Sequence, residues 1–259
     1  MTPDQLFRLD GKVALVTGGY GGIGEALCQG LARMGARVAV AGHNREKADS
    51  CATALRQEGA DAHPSVFDAR SIPDTQRMVD EVAGHFGRID ILINAIGGNQ
   101  EEKADDVTEA VYDDVMLTNL KTAMFQAQAA AQHMRRLGTG GKMLFLGSVR
   151  SQLALRGRGF AAYCAAKGGL TILAKQLAAE WAEHRITVNV LAPTFTRTPQ
   201  AAKWLDDPVF YQSVVSRIPL GRIAETTDVV GAALFLVAPA ADFITGQTLY
   251  LDGGITATQ

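Results

Sequence analysis

A serine, a tyrosine and a lysine stand close together in SVRSQLALRGRGFAAYCAAK, the stretch from Ser148 to Lys167. Tyr163 follows Ser148 by fifteen residues and precedes Lys167 by four. A spacing of four returns to the same face of a helix, with Cβ atoms about 5–6 Å apart, so Tyr163 and Lys167 are neighbours if the stretch is helical. Such a set can hold and move a proton on oxygen. A free phenol ionises at about pH 10, too high for a good base at neutral pH. An ammonium group one helical turn away favours the phenolate and lowers that value, toward the range where acid–base catalysis is efficient. Ser148 can hydrogen-bond a substrate oxygen. Taken singly, each residue has an ordinary role: a half-buried aromatic, a solvated lysine and a cap. Only a framework that brings them to a ligand site gives them chemistry to do.

That framework is written in short apolar runs: VALVTG from Val13, RVAVAG from Arg37, a weaker AHPSVFDA, IDILINAIG from Ile89, KMLFLGS from Lys142, ITVNVLAP from Ile186 and TLYLDGG from Thr248. They are strand-length and continuously apolar rather than alternating, as strands buried on both faces of a parallel sheet are. Helical segments lie between them. PDTQRMVDEVAGHFG has proline in its first turn and glycine at its end, a common helix punctuation. The alternation predicts an α/β fold, a single-domain Rossmann-like doubly wound parallel sheet with helices on both faces, over residues 1–259. Its long departure, residues 194–222, follows a strand end and is expected to cover a substrate as a lid. Ligands of such sheets bind outside the carboxyl ends of the strands. Ser148, at the end of the fifth strand, belongs there.

VALVTGGYGGIGEAL reads as strand, glycine-rich turn, helix, with Gly18, Gly22 and Gly24 as its glycines. Glycine allows a sharp turn and the approach of a pyrophosphate, and the helix start offers free N–H groups. This turn sits in the first strand–helix unit, the context such a motif requires.

T-G-x-x-x-G-I-G near the start, Asn94-Ala95-Ile96-Gly97 after the fourth strand, the strand-ending serine and Y-x-x-x-K together resemble the short-chain dehydrogenase/reductase family, over essentially the whole chain. The resemblance implies hydride transfer between a nicotinamide cofactor and a secondary alcohol or ketone, with Tyr163 as general acid/base, Ser148 orienting the substrate and Lys167 also bonding the nicotinamide ribose. It adds Asn119 as the anchor of a water linking Lys167 to solvent. It implies cofactor contacts from Gly18, Tyr20, Gly22, Ile23, Gly24, His43, Asn44, Arg45, Asp68, Ala69, Asn94, Ala95, Gly97, Tyr163, Lys167, Pro193, Thr196 and Thr198, with Asp68 at the adenine edge. Three features depart from the family pattern. Thr194 follows Pro193 where glycine is usual, Ala95 replaces a second asparagine, and the gap from Ser148 to Tyr163 is slightly long.

An acidic residue ending the second strand bonds the ribose 2′-OH of NAD, whereas a basic one accommodates the 2′-phosphate of NADP. Gly42 fills that position here and His43, Asn44 and Arg45 follow, which favours NADP over NAD. Gly21, where many NADP-dependent relatives have a basic residue, argues the other way. Arg150, Arg156 and Arg158 follow Ser148, and guanidinium groups match carboxylates. SVRSQLALR, AAEWA, DDPVF and IPLGRIAETTDVVGAALFL are similar to the gluconate 5-dehydrogenase branch of the family. The expected substrate is therefore a sugar acid or polyol, met by Ser148, Arg150 and Tyr163. The alternatives are 3-oxoacyl-[acyl-carrier-protein] reduction, which uses the same residues, and a non-catalytic dinucleotide sensor, which would be expected to lack Tyr163 or Lys167.

Hydrophobic residues make up 47% and the formal net charge is −2, a balance that argues against nucleic acid as a partner. Three cysteines, Cys28, Cys51 and Cys164, have no metal-ligand spacing. No run reaches the length of a signal peptide or membrane span, so the expectation is a cytoplasmic protein with no membrane partner and no metal. Alanine-rich helices such as TAMFQAQAAAQHM allow close packing between subunits. Together with the family's habit, they imply a homotetramer of closed symmetry.

Overall fold

The computed structural model describes residues 2–259. Seven parallel strands form one sheet in the order β3-β2-β1-β4-β5-β6-β7. They are β1 (Val13–Thr17), β2 (Arg37–Gly42), β3 (Ala62–Val66), β4 (Ile91–Asn94), β5 (Gly141–Leu146), β6 (Ile186–Pro193) and β7 (Thr248–Leu251). Each coincides with an apolar run of the sequence. The weak one, β3, contains Pro64 and pairs only with β2; an edge is where a sheet tolerates the missing N–H of proline.

Strand residues alternate between two apolar layers. Val13, Leu15, Ala39, Phe145 and Val188 pack with α3 (Ile72–Phe86), α5 (Thr122–Leu137) and α6 (Ala161–Trp181). Ala14, Val16, Val38, Val40, Ile93 and Leu144 pack with α1 (Gly22–Arg33), α2 (Arg45–Gln57) and α9 (Thr226–Val237). Both faces being covered explains why the strands read as continuous apolar runs. Helix starts are fixed locally. Asn44 caps α2, Ser71 caps α3, Thr108 caps α4 (Glu109–Met116) and Thr198 caps α7 (Pro199–Leu205), each through its side chain. No side chain caps α1, which begins at the glycine turn.

Chain order reverses between β1 and β4, so the crevice for a ligand opens at their carboxyl ends. Residues 194–222 lie over that edge as α7 and α8 (Pro208–Val215), whose apolar sides join Ile218, Ile223 and Ile255 in a small cluster of their own. The Thr196–Ala224 bridge ties the segment's two ends together, and the Thr194 amide, which donates to the Leu251 carbonyl at 3.1 Å, ties it to the sheet. Arg185 is the one non-glycine residue of positive φ among those described. Thr194 therefore fits its turn without left-handed backbone, and the departure from glycine there carries no strain.

Candidate active site

The glycine turn leaves β1 and folds back under the first turn of α1. A Cβ on Gly24 would lie 2.1 Å from the Gly18 carbonyl oxygen, so only glycine allows this approach. The start of α1 has no side-chain cap, and an uncapped helix start with free N–H groups suits a pyrophosphate.

At the end of β2 the ring of Tyr20 lies on Gly42; a Cβ there would come within 2.3 Å of the ring. The Tyr20 hydroxyl accepts from the Asn44 amide at 2.8 Å and meets His43 Nδ1 at 3.2 Å. Gly42 is thus required by Tyr20, a reason invisible in the local sequence. Arg45 and His43 are exposed beside it. Asp68 is also exposed, its Oδ1 accepting from the Arg70 amide at 2.9 Å, while Ala69 packs on the core.

A cavity of about 390 Å³ opens at the ends of β4, β5 and β6. Ser148, Arg150, Tyr163 and Lys167 face it, as do Ile23, Ala95, Gly97, Pro193, Thr196 and Thr198. Ser148 follows β5 in extended conformation and its Oγ accepts from the Arg150 amide at 3.2 Å, starting a short 3₁₀ turn at Val149–Ser151. The surplus residues before Tyr163 form a loop, exposed at Arg156–Arg158, so the long gap does not separate serine from tyrosine. Tyr163 and Lys167 lie one turn apart on α6, with Lys167 Nζ 5.7 Å from the tyrosine ring centre.

Lys167 is only 3% exposed, and its Nζ donates to the Leu146 carbonyl at 2.8 Å. Burial lowers its pKa to about 8, which leaves it mostly charged at neutral pH. Burial also pushes the Tyr163 phenol above its ordinary value, against the opposing pull of the Ser148 hydroxyl and the Arg150 charge. This corrects the sequence expectation: desolvation outweighs the groups that favour the phenolate, and the charge that helps lower the phenol is Arg150, not Lys167.

Asn119 lies on a π-helical turn, Leu117–Lys121, between α4 and α5. Its Nδ2 donates to the Val115 carbonyl at 2.9 Å and to the Gly98 carbonyl at 2.7 Å. A Cβ on Gly97 would lie 2.8 Å from Asn119 Oδ1 and 3.2 Å from Lys167 Nζ, so the strand end passes between those two side chains. Asn94 turns away from the cavity and donates to Gln126 Oε1 at 2.6 Å, an atom that also accepts from Thr17. Gln126 ties β1, β4 and α5 together below the site, and no sequence spacing identified it.

The three arginines separate. Arg150 is 8% exposed, with Nη1 donating to the Leu153 carbonyl at 3.1 Å. Arg156 is exposed, and the exposed Arg158 forms a two-pronged ion pair with Glu101. Among the described residues no three His, Cys, Asp or Glu side chains gather as metal ligands, and no helix is long and apolar enough to cross a membrane.

A doubly wound sheet with a glycine turn at its first strand and Ser148, Tyr163 and Lys167 around one cavity defines an oxidoreductase of the nucleotide-binding α/β class. Residues 18–256 match the family model described as enoyl-(acyl carrier protein) reductase. The chain is 39% identical, over all of both chains, to gluconate 5-dehydrogenase of Gluconobacter oxydans. It is 36% identical to D-threitol dehydrogenase of Mycolicibacterium smegmatis, covering 96% of this chain and 95% of that one. A solved gluconate 5-dehydrogenase from Burkholderia cenocepacia, in complex with NADP and tartrate, superposes with a TM-score of 0.95 at 37% identity over all of both chains. The chain belongs to the short-chain dehydrogenase/reductase family and acts on CH–OH groups.

Proposed function

We propose that the protein transfers hydride between NADP and a secondary hydroxyl of a sugar acid, in the manner of a gluconate 5-dehydrogenase. The observation that carries this reading is the meeting of Ser148, Tyr163, Lys167 and a buried Arg150 around one cavity. The nicotinamide, when bound, supplies the hydride acceptor or donor. Gly18, Gly22 and Gly24 with the start of α1 would hold its pyrophosphate, and Lys167 a ribose hydroxyl. Ser148 holds the substrate oxygen against Tyr163. In oxidation Tyr163 accepts the hydroxyl proton; in reduction it donates one. Lys167 passes that proton toward solvent through a water that Asn119, on the other side of Gly97, would anchor. Residues 194–222 act as the lid. The apolar groove of α4, α5 and α6, lined by Leu117, Leu120, Met124, Phe125 and Leu173, suits assembly as a homotetramer.

NADP is favoured because the end of β2 has no carboxylate to repel a 2′-phosphate, and Arg45 stands exposed next to it. Gly42→Asp is expected to weaken binding of both NADPH and NADH about tenfold or more, since the new side chain must displace Tyr20. Pairing it with Tyr20→Ser removes the clash, and NADH binding should recover while NADPH binding does not. Fluorescence titration of the two reduced cofactors measures this; recovery of NADPH in the double variant would refute the assignment of the 2′-phosphate to this spot.

The decisive experiment follows NAD(P)H absorbance with purified protein against gluconate, 5-ketogluconate, neutral polyols and acetoacetyl thioesters, with each cofactor. Turnover of the sugar acid with NADP is the expected result. Thioester turnover alone would move the protein to 3-oxoacyl thioester reduction. Cofactor binding without any turnover would favour a sensor.

A further inference from the structure

Beside the reaction cavity lies a second one of about 260 Å³, and the two share Arg150, Thr194 and Phe195 as common walls. The second is lined by four guanidinium groups, those of Arg150, Arg156, Arg158 and Arg217, with Ser213 and Phe210 between them. Only Arg158 is neutralised, by Glu101. Arg217 donates to the uncharged Gln259 side chain at 2.8 Å. Among the described residues no carboxylate lies within ion-pair distance of Arg150, Arg156 or Arg217.

Arg150 is the telling member. More than nine-tenths of it is buried, and of the five N–H donors of a guanidinium one is engaged, by the Leu153 carbonyl. Buried charges in proteins are normally paired. Desolvation and the nearby Arg217 charge both act against its protonated form. A folded chain keeps such a group where an anion arrives to compensate it. An apolar or neutral ligand would leave the cost standing.

We propose that this second cavity is the carboxylate subsite, with Arg150 and Arg217 as its ligands. The substrate is then an open-chain polyhydroxy acid whose carboxylate lies several carbons from the carbinol that reacts at Tyr163. This deepens, and rests on, the sugar-acid reading above. It disfavours reaction at a hydroxyl on the carbon next to the carboxylate, and gives the α8 end of the lid a role in choosing substrate, because Arg217 follows that helix.

The test compares the wild-type protein with Arg217→Gln and Arg217→Lys, using gluconate, the neutral hexitol of equal length, and tartrate as a non-reacting anion titrated against the fluorescence of NADPH bound to the protein. Arg217→Gln should raise KM for gluconate about tenfold or more, the loss of one charge-assisted bond, with kcat within about twofold. KM for the hexitol and the NADPH dissociation constant should stay put, and lysine should restore most of the loss. Equal effects on acid and hexitol, or no effect on the acid, would overturn the subsite and leave the function standing. If no sugar acid reacts at all, tartrate decides. Binding weakened tenfold by Arg217→Gln keeps the subsite while the substrate reading falls; tartrate binding that ignores Arg217, or is absent, overturns the subsite.

Discussion

Replacing Tyr163 by phenylalanine will slow turnover about 10³-fold while NADPH binds with nearly the wild-type affinity. General acid–base catalysis contributes about 10²–10⁴-fold, and Tyr163 is the group proposed above as the proton donor. The other titratable side chains facing it are Lys167 and Arg150, and neither is placed as Tyr163 is, with its hydroxyl against Ser148. Phenylalanine keeps the ring and its packing against Phe160 and removes only the oxygen. The pH profile gives a second signature. Burial holds the phenol above its ordinary value, so it is protonated at neutral pH. Reduction needs that proton and should be flat through neutrality, falling only in strong alkali; oxidation needs the phenolate and should climb with pH. Single-turnover absorbance and cofactor fluorescence would measure both. A phenylalanine variant within about tenfold of the parent would mean that another group moves the proton.

The features that read correctly from the sequence are those governed by near neighbours. Continuous apolar runs betray a strand buried on both faces, and Tyr163 and Lys167 face one way because helix geometry returns every fourth residue. The tight glycine turn is legible for the same reason: its glycines serve a local crossing of Gly18 under Gly24. What sequence reading missed depends on contacts between distant segments. Asn94 looks like a cofactor ligand until Gln126 reaches it from α5. Gly42 reads as a vacancy for a phosphate, yet it is also the seat of the Tyr20 ring. The arginines after Ser148 look equivalent in sequence. Glu101, 57 positions away, engages Arg158, whereas burial without a carboxylate sets Arg150 apart. Arg217 joins Arg150 at the second cavity only because α8 folds back over the sheet edge. The Tyr163 pKa was misjudged because spacing reports the approach of a charge but not the loss of water around a phenol.

Lys167→Met should yield a protein that is more stable at neutral pH and nearly inactive. Lys167 is almost fully buried, with one carbonyl partner and no carboxylate, and its pKa falls from 10.5 to about 8. At about 1.4 kcal/mol per tenfold change in proton affinity, holding the charge in the fold costs roughly 3 kcal/mol. A methionine of similar length avoids that cost but forfeits the bond to the Leu146 carbonyl, worth about 1 kcal/mol, leaving a net gain of about 2 kcal/mol. The sign with pH is fixed by linkage. Between about 8 and 10.5 the unfolded chain holds the lysine proton and the folded one does not, so wild-type stability rises with pH across that window. The full cost applies below about 8, and the advantage of methionine must shrink above it. Urea unfolding at pH 7 and pH 9.5 would show the gap narrowing. A variant less stable than the parent at pH 7, or a gap that ignores pH, would mean that the lysine is not charged in the fold. The burial that makes the ammonium costly also removes competing water from it, so its charge would act more strongly on a ribose hydroxyl in the role proposed for it. Stability is given up at the residue where the reaction gains it.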